Sequence, residues 1–507
     1  MKNPIRTIRR ALQVAFLLLF IGLLWEARWH ATGSAPPAQW FLRMDPLSGL
    51  VTALAPTHTW LALFWPALVL LALTAIFGRF FCGWICPLGT CIDGFDHLFL
   101  RKRKQRYPWL NRPSWKYYLL GVVLVAALFG TQLAWILDPI PLATRTFAVV
   151  AYPIVIGAYN LGVVKGWPIL DRLGLDWYPT DVNPGFSLNL AVLLVFATVL
   201  GLSVISRRYW CRTLCPLGAL LAFAGRFGLW NRRVEGCANC RVCEADCKMG
   251  AIPEPEEGGD YSRTLQAECI QCYDCTTCPR EGTHIGLHMK PKGLDSATGA
   301  GRRQFLAALG IGALYGITAS AGGGRRATHD RLIRPPGAIM REPGGGIRNM
   351  SESEFRDLCL RCGACMKACV TGGIQPAVVE AGFDGLFTPI LVPKIGHCEQ
   401  SCTACGDVCP SGALGKFTVE EKTHIHIGLA TVDQNKCLSW RRGKQYRLCL
   451  VCDEHCPYDA ISIIKNHDGL RAPFVNADKC VGCGQCEHVC PEKPEAAIVV
   501  HRSDAGI

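Results

Sequence analysis

The chain has 507 residues, 50% hydrophobic and only 18% charged, with 29 cysteines and a formal net charge of +13. At about 150 residues per domain it is too long for one core, and a charge content below the roughly 25% of soluble domains points part of it towards lipid. Nucleic-acid binding is excluded as the meaning of the positive charge, because seven basic residues and no acidic one are gathered in Arg101 to Lys116 beside apolar runs, as in a membrane-orientation signal.

Four runs read as spanning helices, which need about 20 apolar residues to cross a ~30 Å hydrocarbon core. They are Ala11 to Ala27, Thr59 to Gly78, Tyr117 to Leu137 and Phe186 to Ser206. The first carries one charge, Glu26, at its end, and no small-residue cleavage site follows Trp25, so it is expected to remain as a span rather than leave as a secretory signal. Arg6, Arg9, Arg10, Arg79, Arg207 and Arg208 flank the spans on what should be the cytoplasmic side. Thr146 to Val164 is also uncharged, but a crossing there would turn everything after Arg208 outward. Pro153 and Asn160 weaken a helix, so a re-entrant or interfacial segment is expected.

A repeat marks the ends of the second and fourth spans: Gly78 to Gly89 reads GRFFCGWICPLG and Arg207 to Gly218 reads RRYWCRTLCPLG. The shared basic-aromatic-CxxxCPLG phrase places both ends on one side. Cys82 and Cys86, like Cys211 and Cys215, stand one helical turn apart. Three readings stay open for these four thiols: ligands of a metal or cluster, redox dithiols, or packing. Cys91 has no assigned role. Further on, Arg302-Arg303-Gln304-Phe305-Leu306 and a weakly hydrophobic run to Ala321 look like a twin-arginine export signal in mid-chain. That route moves folded domains, which suits cofactors inserted before export. Thr318 to Ala321 offers an Ala-x-Ala cleavage site, yet retention as an anchor is expected. Residues 322–350, rich in Gly, Arg and Pro, are expected to be a linker without fixed structure.

The other 24 cysteines form six tight runs. Zinc sites use two close pairs held roughly 12 to 20 residues apart, and disulfide frameworks space cysteines irregularly; neither pattern is present. A [4Fe-4S] cube takes three thiolates from one CxxCxxC loop and, in two-cluster ferredoxins, its fourth from the partner run. Pairing the runs in order gives six expected ligand sets. The first pair of sets is Cys237, Cys240, Cys243, Cys278 and Cys269, Cys272, Cys275, Cys247. The second is Cys359, Cys362, Cys365, Cys409 and Cys398, Cys402, Cys405, Cys369, and the third is Cys437, Cys449, Cys452, Cys490 and Cys480, Cys483, Cys486, Cys456. Two departures stand out: Cys278 follows Cys275 after only two residues, and an eleven-residue spacer, Leu438 to Leu448, separates Cys437 from Cys449. Pro279, Pro410, Pro457 and Pro491 follow the closing cysteines, as in ferredoxins. Ile252, Ile374, Ala413-Leu414, Ala460-Ile461 and Ala496 to Ile498 are expected to form short strands over the cubes. CxxCH is absent, so covalent haem is not encoded.

The expected fold is multidomain: an α-helical membrane bundle of four spans, plus one at the twin-arginine segment, with α+β bacterial-ferredoxin-like domains. Residues 1–229 would form the membrane domain, 230–295 a cytoplasmic two-cluster domain, 300–321 the signal or anchor, and 351–507 a periplasmic four-cluster domain. On these motifs residues 1–295 resemble the NapH/MauN family of membrane quinol dehydrogenase subunits. Residues 300–507 resemble the NapG/MauM family of exported ferredoxin-type proteins, so the chain resembles a fusion of both. NosR-type regulators share CxxxCP phrases, but a large flavin-binding region precedes theirs, and nothing before Ala11 supplies one. The resemblance implies a multi-pass protein of a bacterial inner membrane that oxidises membrane quinol. Six [4Fe-4S] clusters would pass single electrons to a periplasmic redox enzyme or cytochrome, such as a nitrate reductase. The alternative is an electron-donating assembly or regulatory factor for a periplasmic metalloenzyme. His30, His58 and His97 lie near span ends, where packing at the interface outweighs a part in quinol deprotonation.

Overall fold

A computed structural model describes residues 4–27, 39–55, 61–100, 112–172, 178–179, 185–254, 261–276, 284–289, 301–326, 331–341 and 346–502. The basic residues at 101–106, together with His30, His58 and Cys278, lie outside the described residues. Two compact units form. The first takes residues 1–24, 38–144 and 193–320, and the second takes 25–37, 145–192 and 321–507.

Among the described residues, Pro4–Trp25 and Pro139–Trp167 are long and apolar enough to cross a membrane, by length and composition. Trp65–Phe77, Trp115–Leu128, Asn189–Val204 and Pro216–Gly225 are shorter apolar helices. The expected run at 59–78 is a 3-10 turn over Leu61–Phe64 before it becomes α-helix at Trp65, and the expected run at 117–137 is broken near Gly130, whose φ of 74° suits glycine and ends the helix. Thr146 to Val164, expected to be re-entrant or interfacial with its helix weakened by Pro153 and Asn160, is unbroken and part of a continuous helical stretch. A π-turn over Phe147–Ala151 joins Pro139–Thr146 to Tyr152–Arg172. The widened turn just before the proline absorbs its missing N–H and its ring, which a regular α-turn would not.

In the first unit the twin-arginine segment is the helix Arg302–Arg326. It lies along Trp115–Leu128 through Gly312 and Gly316, where an added Cβ would stand 2.8 Å from the Val122 carbonyl oxygen and 2.7 Å from Phe129. Small residues four apart allow such backbone approach between apolar helices. The first ferredoxin-like segment belongs to the same unit and is closed by an antiparallel pair, Trp230–Glu235 with His284–Met289.

The second unit is built from two-stranded antiparallel sheets: 339–341 with 347–349, 374–376 with 389–391, 428–432 with 498–502, and 461–465 with 471–475. Strands follow the cysteine runs at Ile374, Ile461 and Ile498, whereas Ile252 and Ala413-Leu414 are buried in bends. Residues 331–341 and 346–350 depart from the expected linker. Leu332 and Ile333 are almost fully buried, and the Leu391 amide donates to the Ile333 carbonyl at 2.8 Å. Burying two large aliphatic side chains outweighs the flexibility that the surrounding Gly and Pro suggest.

Candidate iron-sulfur centres

Four of the cysteine runs share a local reason to curl round a centre. The residues on either side of the middle cysteine have positive φ: Asn239 and Arg241, Gln271 and Tyr273, Arg361 and Gly363, Gly482 and Gly484. Five of these eight carry a side chain, each at a cost of about 1 to 2 kcal/mol. Left-handed residues alternating with ordinary ones turn successive N–H groups inward, the geometry of an anion-binding nest. The thiols use those groups: Cys359 accepts from the Arg361 amide, Cys362 from Ala364, Cys269 from Gln271 and Cys483 from Gln485.

In the second unit the cysteines gather in fours. Burial drives the Cys365 thiol well above its ordinary range, and Cys362, Cys359 and Cys409 add to the shift. Burial, then Cys398, Cys402 and Cys369, do the same to Cys405. Cys452 is pushed up to about 12 by burial, Cys437 and Cys449, while Cys437 has Cys449 and Cys490 beside it. Cys456, Cys480, Cys483 and Cys486 line one cavity with Ala460 and Val500. Neighbouring sets also come within electrostatic reach of one another in a fixed order. Cys405 raises Cys365, Cys398 raises Cys483, and Cys452 raises Cys486. The Cys398 amide donates to the Cys483 carbonyl at 2.8 Å. The line therefore runs from the Cys359 set through the Cys398 and Cys480 sets to the Cys437 set.

In the first unit Cys247, Cys269, Cys272 and Cys275 line one cavity with Ile252 and Ile270. Cys243 lies beside Cys237 and Cys240; Cys278, expected as their fourth partner, lies outside the described residues. Among the described residues no three His, Cys, Asp or Glu groups converge as closely as the ligands of a single metal ion. Nested N–H groups, lined cavities and neutral buried thiols fit a multi-iron anion, since iron is what draws the protons from such thiols.

The CxxxCP phrases also converge. Cys82, Cys86, Cys211 and Cys215 are all buried. Cys86 is raised by burial, Cys82 and Cys211, and Cys215 by burial, Cys211 and Cys82. Cys86 and Cys215 each cap a proline-initiated helix, Pro87–Phe99 and Pro216–Gly225. Each sulfur accepts from the glycine amide three residues on, Gly89 at 3.5 Å and Gly218 at 3.2 Å. The arginines that open the phrases cross over. Arg208 donates to the carbonyls of Cys82 and Gly89 in the first phrase, at 2.7 and 3.3 Å. Arg79 lies over the second, its Nη2 2.8 Å from where a Gly218 Cβ would stand. Both guanidinium groups are fully buried and paired, Arg208 with Asp93 at 2.8 Å and Arg79 with Glu268 at 2.9 Å.

Glu268 directly precedes Cys269, so this pair fastens the ferredoxin-like loop to the helices, and Lys116 and Tyr117 hold the same carboxylate. Trp84 Nε1 donates to the Gln271 carbonyl at 2.9 Å. Arg6 and Lys248 both reach Asp274, at 3.0 and 3.6 Å. Burial alone would raise the Asp93 carboxyl, but Arg208 and Lys248 hold it well below its usual range. Sequence reasoning passed over Asp93 and Glu268, and with them Asp45 and Asp138, whose buried carboxylates flank the Ser48 hydroxyl at 2.9 and 3.3 Å. The available signal was a carboxylate set in an apolar or cysteine-rich stretch, where a charge is costly unless paired. Cys91 is half-buried and its thiol is pushed up to about 11 by burial, while His97 is exposed at the end of Pro87–Phe99.

Comparison with known proteins matches a 4Fe-4S binding domain family to residues 57–108 and 188–235, the stretches that carry the two CxxxCP phrases. A 4Fe-4S dicluster domain family matches residues 447–493. The ferredoxin-type protein NapG of Escherichia coli is 35% identical over 221 residues, covering 39% of this chain and 85% of that protein. The methylamine utilization ferredoxin-type protein MauM of Methylobacillus flagellatus is 31% identical over 187 residues, 35% of this chain and 70% of that protein. The methylamine utilization ferredoxin-type protein MauN of Paracoccus denitrificans is 28% identical over 272 residues, 52% of this chain and 82% of that protein. No solved structure matches the chain.

Proposed function

Because the chain belongs to the NapG and MauM family of ferredoxin-type iron-sulfur proteins, we propose that it carries electrons from membrane quinol to a redox enzyme or cytochrome in the periplasm. The proposal includes a MauN-type membrane part fused to the NapG/MauM-type part, six [4Fe-4S] sites on the ferredoxin-type cysteines, and an outward-facing C-terminal domain. Bound at these thiols, iron-sulfur cubes supply one-electron oxidation and reduction. The chain's own contribution is the order in which its thiol sets are held.

The observation that carries this reading is the line of sets in the second unit, which begins on an apolar helix and ends under a basic surface. At the beginning, Lys367, between Cys365 and Cys369, donates to the carbonyls of Trp25 and Ala27 and lies 4.9 Å from the Tyr152 ring centroid. Gly363 abuts Val149 in the π-turn, where an added Cβ would stand 3.2 Å from it. At the other end the Cys437 set lies beneath the spacer Leu438 to Leu448, whose Arg442, Lys444 and Arg447 are exposed. A positive surface over the last set suits delivery to an acidic redox protein. The helix Arg302–Arg326, only weakly hydrophobic but packed on Trp115–Leu128 through Gly312 and Gly316, supports its reading as an anchor.

The test is anaerobic reduction of the purified full-length protein by a short-chain quinol. The visible absorbance of the oxidised protein should bleach far faster than the uncatalysed rate and return when an oxidised acidic cytochrome is added. Bleaching by dithionite but not by quinol would sink the quinol reading.

A further inference from the structure

Arg79 and Arg208, both fully buried in the first unit, each have a carboxylate partner; Arg232 is buried beside a cysteine-lined cavity and has none among the described residues. We propose that Arg232 is the counter-charge of the iron-sulfur centre at Cys247, Cys269, Cys272 and Cys275, and that it sets the potential of that centre by stabilising the reduced form. The inference rests on the iron-sulfur reading of this set and not on quinol as the donor.

The strand Trp230–Glu235 places Arg232, opposite Leu287 of its partner strand, within the first ferredoxin-like segment. Arg232 lines the same cavity as the four cysteines and is only 7% exposed. Its Nη1 donates to the Tyr261 carbonyl at 3.1 Å, the Ser262 carbonyl at 3.3 Å and the Thr264 hydroxyl at 3.0 Å. One nitrogen therefore tethers the stretch that leads into the Cys269 loop. The other two, Nε and Nη2, are buried and have no hydrogen-bond partner. A tether needs only Nη1, and a buried guanidinium with two idle donors and no carboxylate is costly. A ligated cube meets both needs, since it is an anion and its sulfurs accept hydrogen bonds. Arg232 also lies within electrostatic reach of Cys269 and Cys275 in this set and of Cys243 in the neighbouring one. The cavity it lines is that of the Cys269 set.

Uptake of one electron from any one-electron donor adds one negative charge to the ligated set, while Arg232 keeps its proton throughout. No proton need accompany the electron. In a cavity that excludes water, the attraction between a fixed guanidinium and that added charge is stronger than at a surface. Arg232 thereby draws electrons to the Cys269 set. This set is also the one fastened to the helices, through Glu268 with Arg79 and through Trp84 with the Gln271 carbonyl. The added electron is thus held where the ferredoxin-like segment meets the helices.

Redox titration of the anaerobic full-length protein, followed by electron paramagnetic resonance, tests this, with Cys272→Ser identifying the component that belongs to the set. Arg232→Gln should lower the reduction equilibrium constant of that component by about tenfold at unchanged iron content, a shift of about 59 mV to lower potential for a one-electron couple. Arg232→Lys keeps the charge and should stay closer to wild type than to the Gln variant. Thr264→Ala loosens the tether without touching the charge and should leave the potential where it is. A further measurement does not depend on the Gln variant assembling. With heavy-nitrogen label in the arginine guanidinium groups, pulsed resonance of the reduced component should show a label coupling in wild type that disappears in Arg232→Lys. An unshifted component in Arg232→Gln at full iron content, an equal shift in Thr264→Ala, or no such coupling in wild type would overturn the proposal. Finding no component that Cys272→Ser removes would overturn it together with the iron-sulfur reading of this set. A failure of quinol reduction with the potentials as expected would touch the quinol reading alone.

Discussion

Glu268 shows what a single side chain does for this protein. Its carboxylate meets Arg79 and Lys116, both fully buried, and accepts from the Tyr117 hydroxyl at 3.1 Å, while its backbone leads directly into Cys269. Removing one partner from a buried ion pair leaves the others uncompensated and typically costs about 3 to 5 kcal/mol. Glu268→Gln should therefore loosen the loop 261–276 from the helices and lower the stability of the first unit by an amount near that range. Limited proteolysis and thermal loss of the visible absorbance, compared with wild type, check this; equal protection of the loop would show that the pair does not fasten it. Nothing near Glu268 in the chain announces its partners, which lie more than 150 positions away. The cysteines differ, because three of the four ligands expected for most sets sit within seven residues of one another.

Among the elements, the spacer Leu438 to Leu448 explains how one run tolerates eleven residues where two are usual. Ser439 closes it from within, donating to the Cys449 carbonyl at 2.9 Å and accepting from the Cys449 amide at 2.8 Å. Trp440 Nε1 donates to the Pro473 carbonyl at 3.0 Å, and Arg441 pairs with Glu492 at 3.1 Å. The ends of the loop thus stay together and Cys437 remains beside Cys449, while Arg442, Lys444 and Arg447 are left to solvent. Replacing those three with Glu should leave iron content and folding unchanged but slow electron delivery to an acidic cytochrome on the order of 10-fold at low salt. The difference should shrink as ionic strength rises. Stopped-flow oxidation across a salt series measures it, and a salt-independent rate in wild type would remove the spacer from partner docking. The insertion itself was plain in the chain, but its closure depends on Pro473 and Glu492, which no local rule joins to it.

At the level of the whole molecule, the proposed function puts the first ferredoxin-like segment and the C-terminal domain on opposite sides of a membrane by way of the twin-arginine segment. Arg302→Lys with Arg303→Lys should keep residues 322–507 inside, because that export route reads the arginine pair rather than its charge. Protease added to spheroplasts should then digest the C-terminal domain in wild type and spare it in the variant. Equal digestion in both would show that the pair does not direct export. The units also divide the chain differently from its apparent segments, since residues 145–192 join the C-terminal domain and the first ferredoxin-like segment joins the helices.

What the chain determined by itself is whatever depends on short spacing: the cysteine runs, the repeated CxxxCPLG phrase, the apolar runs and the arginine pair. Cluster chemistry needs thiols close in sequence, so those features are written locally and are legible without a structure. The tertiary structure decided what depends on distant residues meeting. It set the linear order of the outer thiol sets through contacts such as Cys398 with Cys483, and the crossing of Arg79 and Arg208 between the repeats. It also showed Pro153 absorbed by a π-turn and Leu332-Ile333 drawn into a core that composition alone assigned to a linker. Each of these outcomes is a packing or charge-pairing energy that exists only once two separated stretches are in contact, and no pattern within either stretch encodes it.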